Sequence, residues 1–475
     1  MRFLLLFMLV SSCAFTGVLS DHERRERKGE EEWEEKGSKR GLFILDKWEK
    51  VVESEGGEVR VVRGFGLPMD HGSGFDGLRK GLLHIGLILM EPKTLFVPQY
   101  LDASLILFVR RGEARVGWIH KDALVERNLK MGDVVQIPAG FTFYVVNTGA
   151  GQRLQIICGI DASESLGSAN PYEAFYIGGG TSPKSVLAGF DTKTLATALN
   201  VTSDEVDTFL GARSRGPIVY VTEEPAGRET KHRNGGRGFL DDAAEWKIFP
   251  LKPLKGLLIW LFGIQEDNTV RAPDTYNLYD RDPGFRNNYG WSTALDENDY
   301  EPLKDSDIGV YLVNLTAGSM MAPHVNPRAT EYGIVLGGSG RIQVVFPNGT
   351  TAMDAKVSEG DVFYIPRYFP FCQVASLGGP FEFFGFTTSA RRNYPQFLLG
   401  QSSILKTMVG PELAAGFGVS ERRLRDLVDA QGEEVILPSW PEPERERERR
   451  EEQGRREMRG REWRSGKGVS PLLVS

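Results

Sequence analysis

Residues 318–345, GSMMAPHVNPRATEYGIVLGGSGRIQVV, hold His324, then Asn326 two residues on, then Glu331 five further. In a strand, residues two apart share a face, so His324 and Asn326 would point the same way, with Glu331 following. Imidazole and carboxylate together suit a first-row transition metal, but a carboxamide does not replace a second imidazole. Further on, GDVFYIPRYFPFCQVAS (360–376) sets Phe371 beside Cys372. Histidine with a thiolate suits copper or zinc, which makes His324 and Cys372 the candidate metal ligands. On a regular strand Cys372 would point away from His324, and a bulge near Pro370 would be needed to turn it back. The other reading is a buried thiol in an apolar strand and a lone hydrogen-bonded histidine, with His324 and Glu331 as a polar contact. Both stand on sequence alone, and a third ligand is not identified.

The remaining motifs narrow the chemistry. Asn200-Val-Thr202, Asn314-Leu-Thr316 and Asn348-Gly-Thr350 are N-glycosylation triplets. Asn348 falls in an expected hairpin turn and is the candidate acceptor; Asn314 lies in a strand and Asn200 just before a helix. The glycine-rich IGGGTSPKS (177–185) lacks the spacing of a dinucleotide-binding loop. No nucleophile elbow, phosphate-cradling loop, zinc-finger spacing or glycosidase-like carboxylate pair is recognisable.

Such groups need a scaffold, and 475 residues suffice for two or three domains with real cores. A net charge of -7 argues against nucleic acid as a partner. The first twenty residues place Arg2 before an apolar run and then small residues, the layout of a secretory signal peptide with cleavage near Ser20. No other stretch approaches a membrane span. Cleavage removes Cys13 and leaves Cys158 and Cys372, which fall in different halves and are expected to stay unbridged. Residues 21–40 and the tail 436–475 are dense in both charges and read as disordered.

Between these ends the chain repeats itself. VPQYLDASLILFVRRGEARVGWI (97–119) lies over APHVNPRATEYGIVLGGSGRIQV (322–344), and GDVVQIPAGFTFYVVN (132–147) over GDVFYIPRYFPFCQVA (360–375). SVLAGFDTKTLATALNVTSDEVDTFL (185–210) lies over SILKTMVGPELAAGFGVSERRLRDLV (403–428). Each copy alternates apolar strands with Gly, Pro and Asn turns, as an antiparallel barrel or sandwich does, and Asn348-Gly349 marks a hairpin. Each copy ends in short amphipathic helices, with Thr202 or Ser203 and Ser420 as N-cap candidates. Leu195, Leu199, Val206, Phe209 and Leu210, and in the second copy Leu413, Phe417, Leu424 and Leu427, form apolar faces that must be covered by the barrel or by another subunit. The domains expected are 41–222 and 243–435, joined by the linker 223–242, whose basic residues suit processing.

The segments LFVPQYLDASLILFVRRGEARV (95–116), NNYGWSTALDENDYEPLKDSDIGVYLVNLTAGSMMAPHVNPRATEYGIVL (287–336), GDVFYIPRYFPFCQVAS and SARRNYPQFLLGQSSIL (389–405) resemble the bicupin seed storage globulins of plants, the vicilin type. The resemblance runs from about residue 41 to 430. It implies two cupin barrels with helical extensions, a homotrimer, passage through the secretory pathway to the protein-storage vacuole, and a nutrient-reservoir role without catalysis. The chain departs from a simple reserve in showing no heavy enrichment in Asn and Gln. Cupin enzymes hold manganese or iron with a His-x-His pair, a glutamate and a third histidine. Here the second copy keeps His324 and Glu331 but has Asn326 and Phe371, while the first has Gln99, Leu101, Ile106 and Phe143. Oxalate-type chemistry is therefore not expected. The alternative is a bicupin holding a small ligand, copper or zinc in the C-terminal barrel.

Overall fold

The computed structural model describes residues 41–63, 83–163, 170–180, 182–211, 215–221 and 275–439. The leader, the segment 21–40, the linker 223–242 and the charged tail from 440 lie outside the described residues.

The first repeat folds as two antiparallel walls. One runs in the order Tyr276–Asn277, Asp133–Ile137, Leu105–Arg111, Leu154–Ile160, His84–Met90, Gly57–Val62 and Trp48–Ser54. The other runs Ala174–Tyr176, Thr94–Leu101, Phe143–Asn147, Ala114–His120 and Ala123–Leu129, with Ile218–Tyr220 also paired to Thr94–Leu101. The run Leu105–Val109 is buried on both faces, which is why it reads as continuous apolar rather than alternating. Leu105, Leu107 and Val109 fill the first barrel, whereas Ile106 and Phe108 enter the core shared with the second.

In the second repeat Glu331–Val345 crosses both walls. Its first half pairs with Val362–Ile365 and Phe381–Thr387, and its second half with Thr351–Ser358 and Phe371–Ala375. The register against Phe381–Thr387 shifts between Val335 and Gly337, just before the strand passes from one wall to the other. Gly338 sits at φ +76°, and a Cβ there would meet Pro380 O at 1.8 Å, so only glycine fits. The expected hairpin is present: Phe346 N donates to Thr350 O at 2.9 Å, and Gly349 takes φ +83°.

Helices Thr192–Leu199 and Ser203–Leu210 follow the first barrel, and Ile404–Thr407, Pro411–Phe417 and Glu421–Val428 the second. Thr202 forms a full capping box with Glu205, and Ser420 caps through the N–H of Arg423. Of the apolar helix faces, Leu195, Val206 and Leu424 are buried, but Phe209, Phe417 and Leu427 each stay more than half exposed.

Three features revise the sequence expectations. First, the barrels exchange strands. Ile44–Leu45, assigned to the first domain, pairs with Val362–Ile365 of the second barrel, and Phe43 packs edge-on against Tyr364 and Phe369. Tyr276–Asn277, assigned to the second domain, pairs with Asp133 and Val134 of the first. Second, order continues past residue 435. Ile436–Pro438, expected in the charged tail, adds to Ser319–Met321 because Ile436 and Leu437 bury at 0% and 4% exposure. Third, the structural counterpart of Glu331 is Leu105, not Ile106. Leu105 pairs with Ile137 and Ile160 as Glu331 pairs with Ile365 and Thr387, because the loop before Leu105 is one residue shorter.

The barrels meet through aromatic rings. Phe108 stacks on Phe384 with centroids 3.9 Å apart, and Phe386 lies over Gly159, whose missing side chain makes room for it. Burying each such ring contributes roughly 2–3 kcal/mol.

Candidate functional site

His324 opens a two-residue strand paired with Phe371 and Phe397. Its ring is 4% exposed and lies 4.1 Å from the ring of Phe371 and 5.3 Å from that of Phe397, centroid to centroid. Nδ1 is 2.7 Å from Ala322 O. A carbonyl only accepts, so Nδ1 carries the proton and Nε2 holds the lone pair. Burial pushes the imidazole down to about 4, against a smaller opposing effect of that carbonyl, so the ring is neutral near pH 7.

Asn326 and Glu331 form one buried unit. Asn326 donates through Nδ2 to Glu331 Oε1 at 3.1 Å, and its Oδ1 accepts from the N–H groups of Arg328 and Ala329. Desolvation raises Glu331 to about 7, and the Asn326 hydrogen bond pulls the other way. Tyr311, also buried, fills the space over Gly385 and donates to Tyr332 O at 3.2 Å. Sequence reasoning missed Tyr311; its signal was a tyrosine between Val310 and Leu312 in the strand Gly309–Leu315.

Cys372 is not brought to His324. Phe371 pairs with Val344 and Cys372 with Gln343, and adjacent residues of a strand face opposite sides. The thiol approaches Gln343 Oε1 at 3.5 Å, on the face that carries the Arg341–Asp354 ion pair. The bulge that would have turned it inward does not form. Burial moves the thiol up to about 11, so it is not a thiolate near neutrality. Cys158 is likewise buried and unbridged.

The donor set does not fit the manganese or iron of cupin enzymes. Asn326 spends its amide on Glu331 and the backbone, and Phe371 packs at a tilt against His324 where a further imidazole would be required. Among the described residues, no three His, Cys, Asp or Glu side chains converge on one ion position. In the first barrel the position of His324 is Gln99, paired with Phe143 and Tyr176 and 1% exposed; that barrel offers no carboxylate at Leu105.

Of the glycosylation triplets, Asn348 is exposed at the hairpin tip, its Oδ1 accepting from Thr350 N and Oγ1 at 3.0 and 2.7 Å. Asn200 is exposed as a left-handed helix C-cap, and Asn314 is half-buried in its strand.

Two strand-exchanged barrels with this inward constellation match the cupin family model over residues 45–207 and 276–425, and the chain belongs to that family. Within it the chain is a seed storage protein of the vicilin type. It is 51% identical, over 85% of its length and 81% of the relative's, to a vicilin-like seed storage protein of Arabidopsis thaliana. Solved vicilins share the fold: that of Corylus avellana superposes with a TM-score of 0.67 at 23% identity, covering 84% of this chain and 99% of the other. The vicilin of Solanum melongena gives 0.68 at 20% identity over 84% and 98%.

Proposed function

We propose that this storage protein is a non-catalytic reserve that passes through the secretory pathway to the storage vacuole and assembles as a homotrimer. The observation that carries the non-catalytic reading is the Asn326–Glu331 hydrogen bond beside Phe371: Asn326 and Phe371 stand at two ligand positions of a cupin enzyme and supply neither imidazole, and Glu331 is bound to the amide. The exposed faces of Phe209, Phe417 and Leu427 support assembly: two helix pairs per chain could each cover a neighbour's, and a head-to-tail contact of this kind closes as a ring. The accessible side chain of Asn348 supports its glycosylation there.

A second reading, a small molecule held in the C-terminal barrel, is favoured by one observation. Gln373, 2% exposed, has a buried Oε1 without a hydrogen-bond partner. The Solanum melongena vicilin has different anionic ligands in structurally similar pockets. An acceptor oxygen instead suits a ligand that donates hydrogen bonds.

The test follows the protein through seed filling and germination by quantitative mass spectrometry, with its native mass measured by light scattering. Accumulation followed by loss, at three times the chain mass, is expected. A level unchanged through germination would overturn the reserve role, and a monomeric mass the assembly.

A further inference from the structure

The turns at the mouths of the two barrels differ in a way that storage does not explain. In the first, Pro138-Ala139-Gly140-Phe141 closes by Phe141 N to Pro138 O at 3.2 Å, with Gly140 at φ +79°. In the second, Pro366-Arg367-Tyr368-Phe369 closes identically at 3.2 Å, and Tyr368 takes φ +75°. This turn demands a positive φ at its third residue, which suits glycine and strains a bulky side chain. Tyr368 is 60% exposed, so core packing does not offset that strain.

Its ring instead carries the guanidinium of Arg367, 5.1 Å from the centroid, and Tyr394 carries that of Arg392 at the same distance. Arg328 and Arg391 are exposed beside them. Hydrogen bonds join the three loops into one rim: Tyr368 N to Asn326 O at 2.9 Å, Arg367 N to Thr330 Oγ1 at 3.3 Å, and Arg328 Nη1 to Arg392 O at 3.3 Å. Asp307 also touches the rim, but it accepts from Ser389 Oγ and Ala390 N. Arg328, Arg367, Arg391 and Arg392 make no ion pair among the described residues. In the first barrel the shorter loop from Gln99 to Leu105 holds no arginine, and the place of Arg367 holds Ala139.

We propose that this rim is a binding site for small oligophosphorylated molecules. Stacking on tyrosine uses the face of a guanidinium and leaves its N–H edge free. That edge matches phosphate oxygens bidentately. Four guanidiniums at one mouth, two of them held on tyrosine rings, on a chain of net charge -7, suit a compact polyanion better than a single carboxylate.

Calorimetric titration of the full chain with tripolyphosphate tests it. Wild type binds, and Arg367→Ala with Arg392→Ala weakens binding about tenfold or more. Tyr368→Gly keeps the turn in the conformation of Gly140 and also weakens binding, because the stacking platform is gone. Arg422→Ala with Arg423→Ala, which removes the same charge from an exposed helix, leaves affinity unchanged. Absence of binding overturns the site. Equal loss in the helix variant reduces it to bulk electrostatics, and citrate binding as tightly as tripolyphosphate overturns the phosphate assignment. Melting temperatures no lower than that of wild type show that the rim variants remain folded.

Discussion

Inside the second barrel Asn326 holds Glu331 at 3.1 Å while its own oxygen receives two backbone N–H groups. Both ends of the carboxamide are therefore used, one to satisfy a buried carboxyl and the other to shape the loop at 326–329. An imidazole there would offer a metal a lone pair, and this amide does not. The change turns a ligand position into a structural one.

Glu331 and His324 should make opposite contributions to pH-dependent stability. Burial raises Glu331 to about 7 from an ordinary 4.5. Its contribution is complete below pH 4.5 and is lost as pH rises through 7, because the unfolded chain releases the proton first. Burial lowers His324 to about 4 from 6.5, so its contribution is complete above pH 6.5 and is lost as pH falls through 4. The two slopes oppose each other between about pH 4.5 and 6.5. His84, also lowered by burial to about 4, adds to the histidine slope in every variant. Glu331→Gln should steepen the rise of stability with pH by on the order of 2 kcal/mol across the window, and His324→Gln should reverse the change. Denaturant midpoints at half-unit pH steps check both; parallel curves for all three proteins would refute the opposition.

Metal binding should be gained by adding imidazoles, not by using the thiol. Wild type and Cys372→Ser are expected to show the same metal content after copper or zinc incubation, since the thiol faces Gln343. Asn326→His with Phe371→His, beside His324 and Glu331, supplies three imidazoles and a carboxylate and should retain near-stoichiometric metal. Elemental analysis after gel filtration decides it, and copper lost from Cys372→Ser alone would restore the His324–Cys372 pair.

The mouth turns predict opposite glycine effects. Gly140→Ala should destabilise by about 1 kcal/mol, because its φ of +79° is costly for any side chain. Tyr368→Gly should stabilise by a few tenths to about 1 kcal/mol, relief of strain being reduced by the greater freedom of glycine in the unfolded chain. Chemical denaturation measures both, and destabilisation by Tyr368→Gly would show that the ring packs more strongly than its exposure implies.

Strand exchange makes the second barrel depend on the start of the chain. Phe43 is 3% exposed, and its carbonyl accepts from Tyr364 N at 3.0 Å. Phe43→Ala should cost roughly 3 kcal/mol and speed hydrogen exchange at Val362–Ile365 before it affects the first-barrel strand Leu154–Ile160. Equal acceleration in both strands would mean that the barrels open as one unit.

Much of this was legible in the chain. The duplication, the β-rich grammar of each copy, the hairpin at Asn348-Gly349 and the caps at Thr202 and Ser420 are local signals, set by turn chemistry, alternation and the donors of a helix start. The loss of imidazoles at Asn326 and Phe371 was also written in residue identity. Other features required tertiary pairing. Whether Leu105 or Ile106 stands opposite Ile137 depends on a loop one residue shorter, and a one-residue slip exchanges the faces of a strand. The same rule sends the thiol of Cys372 toward Gln343 while Phe371 turns to His324. Ile44–Leu45 and Tyr276–Asn277 join the opposite barrels because the unpaired strand edges lie there, far away in sequence. Residue types set which chemistry this protein could retain, and non-local strand register decided which side chains meet.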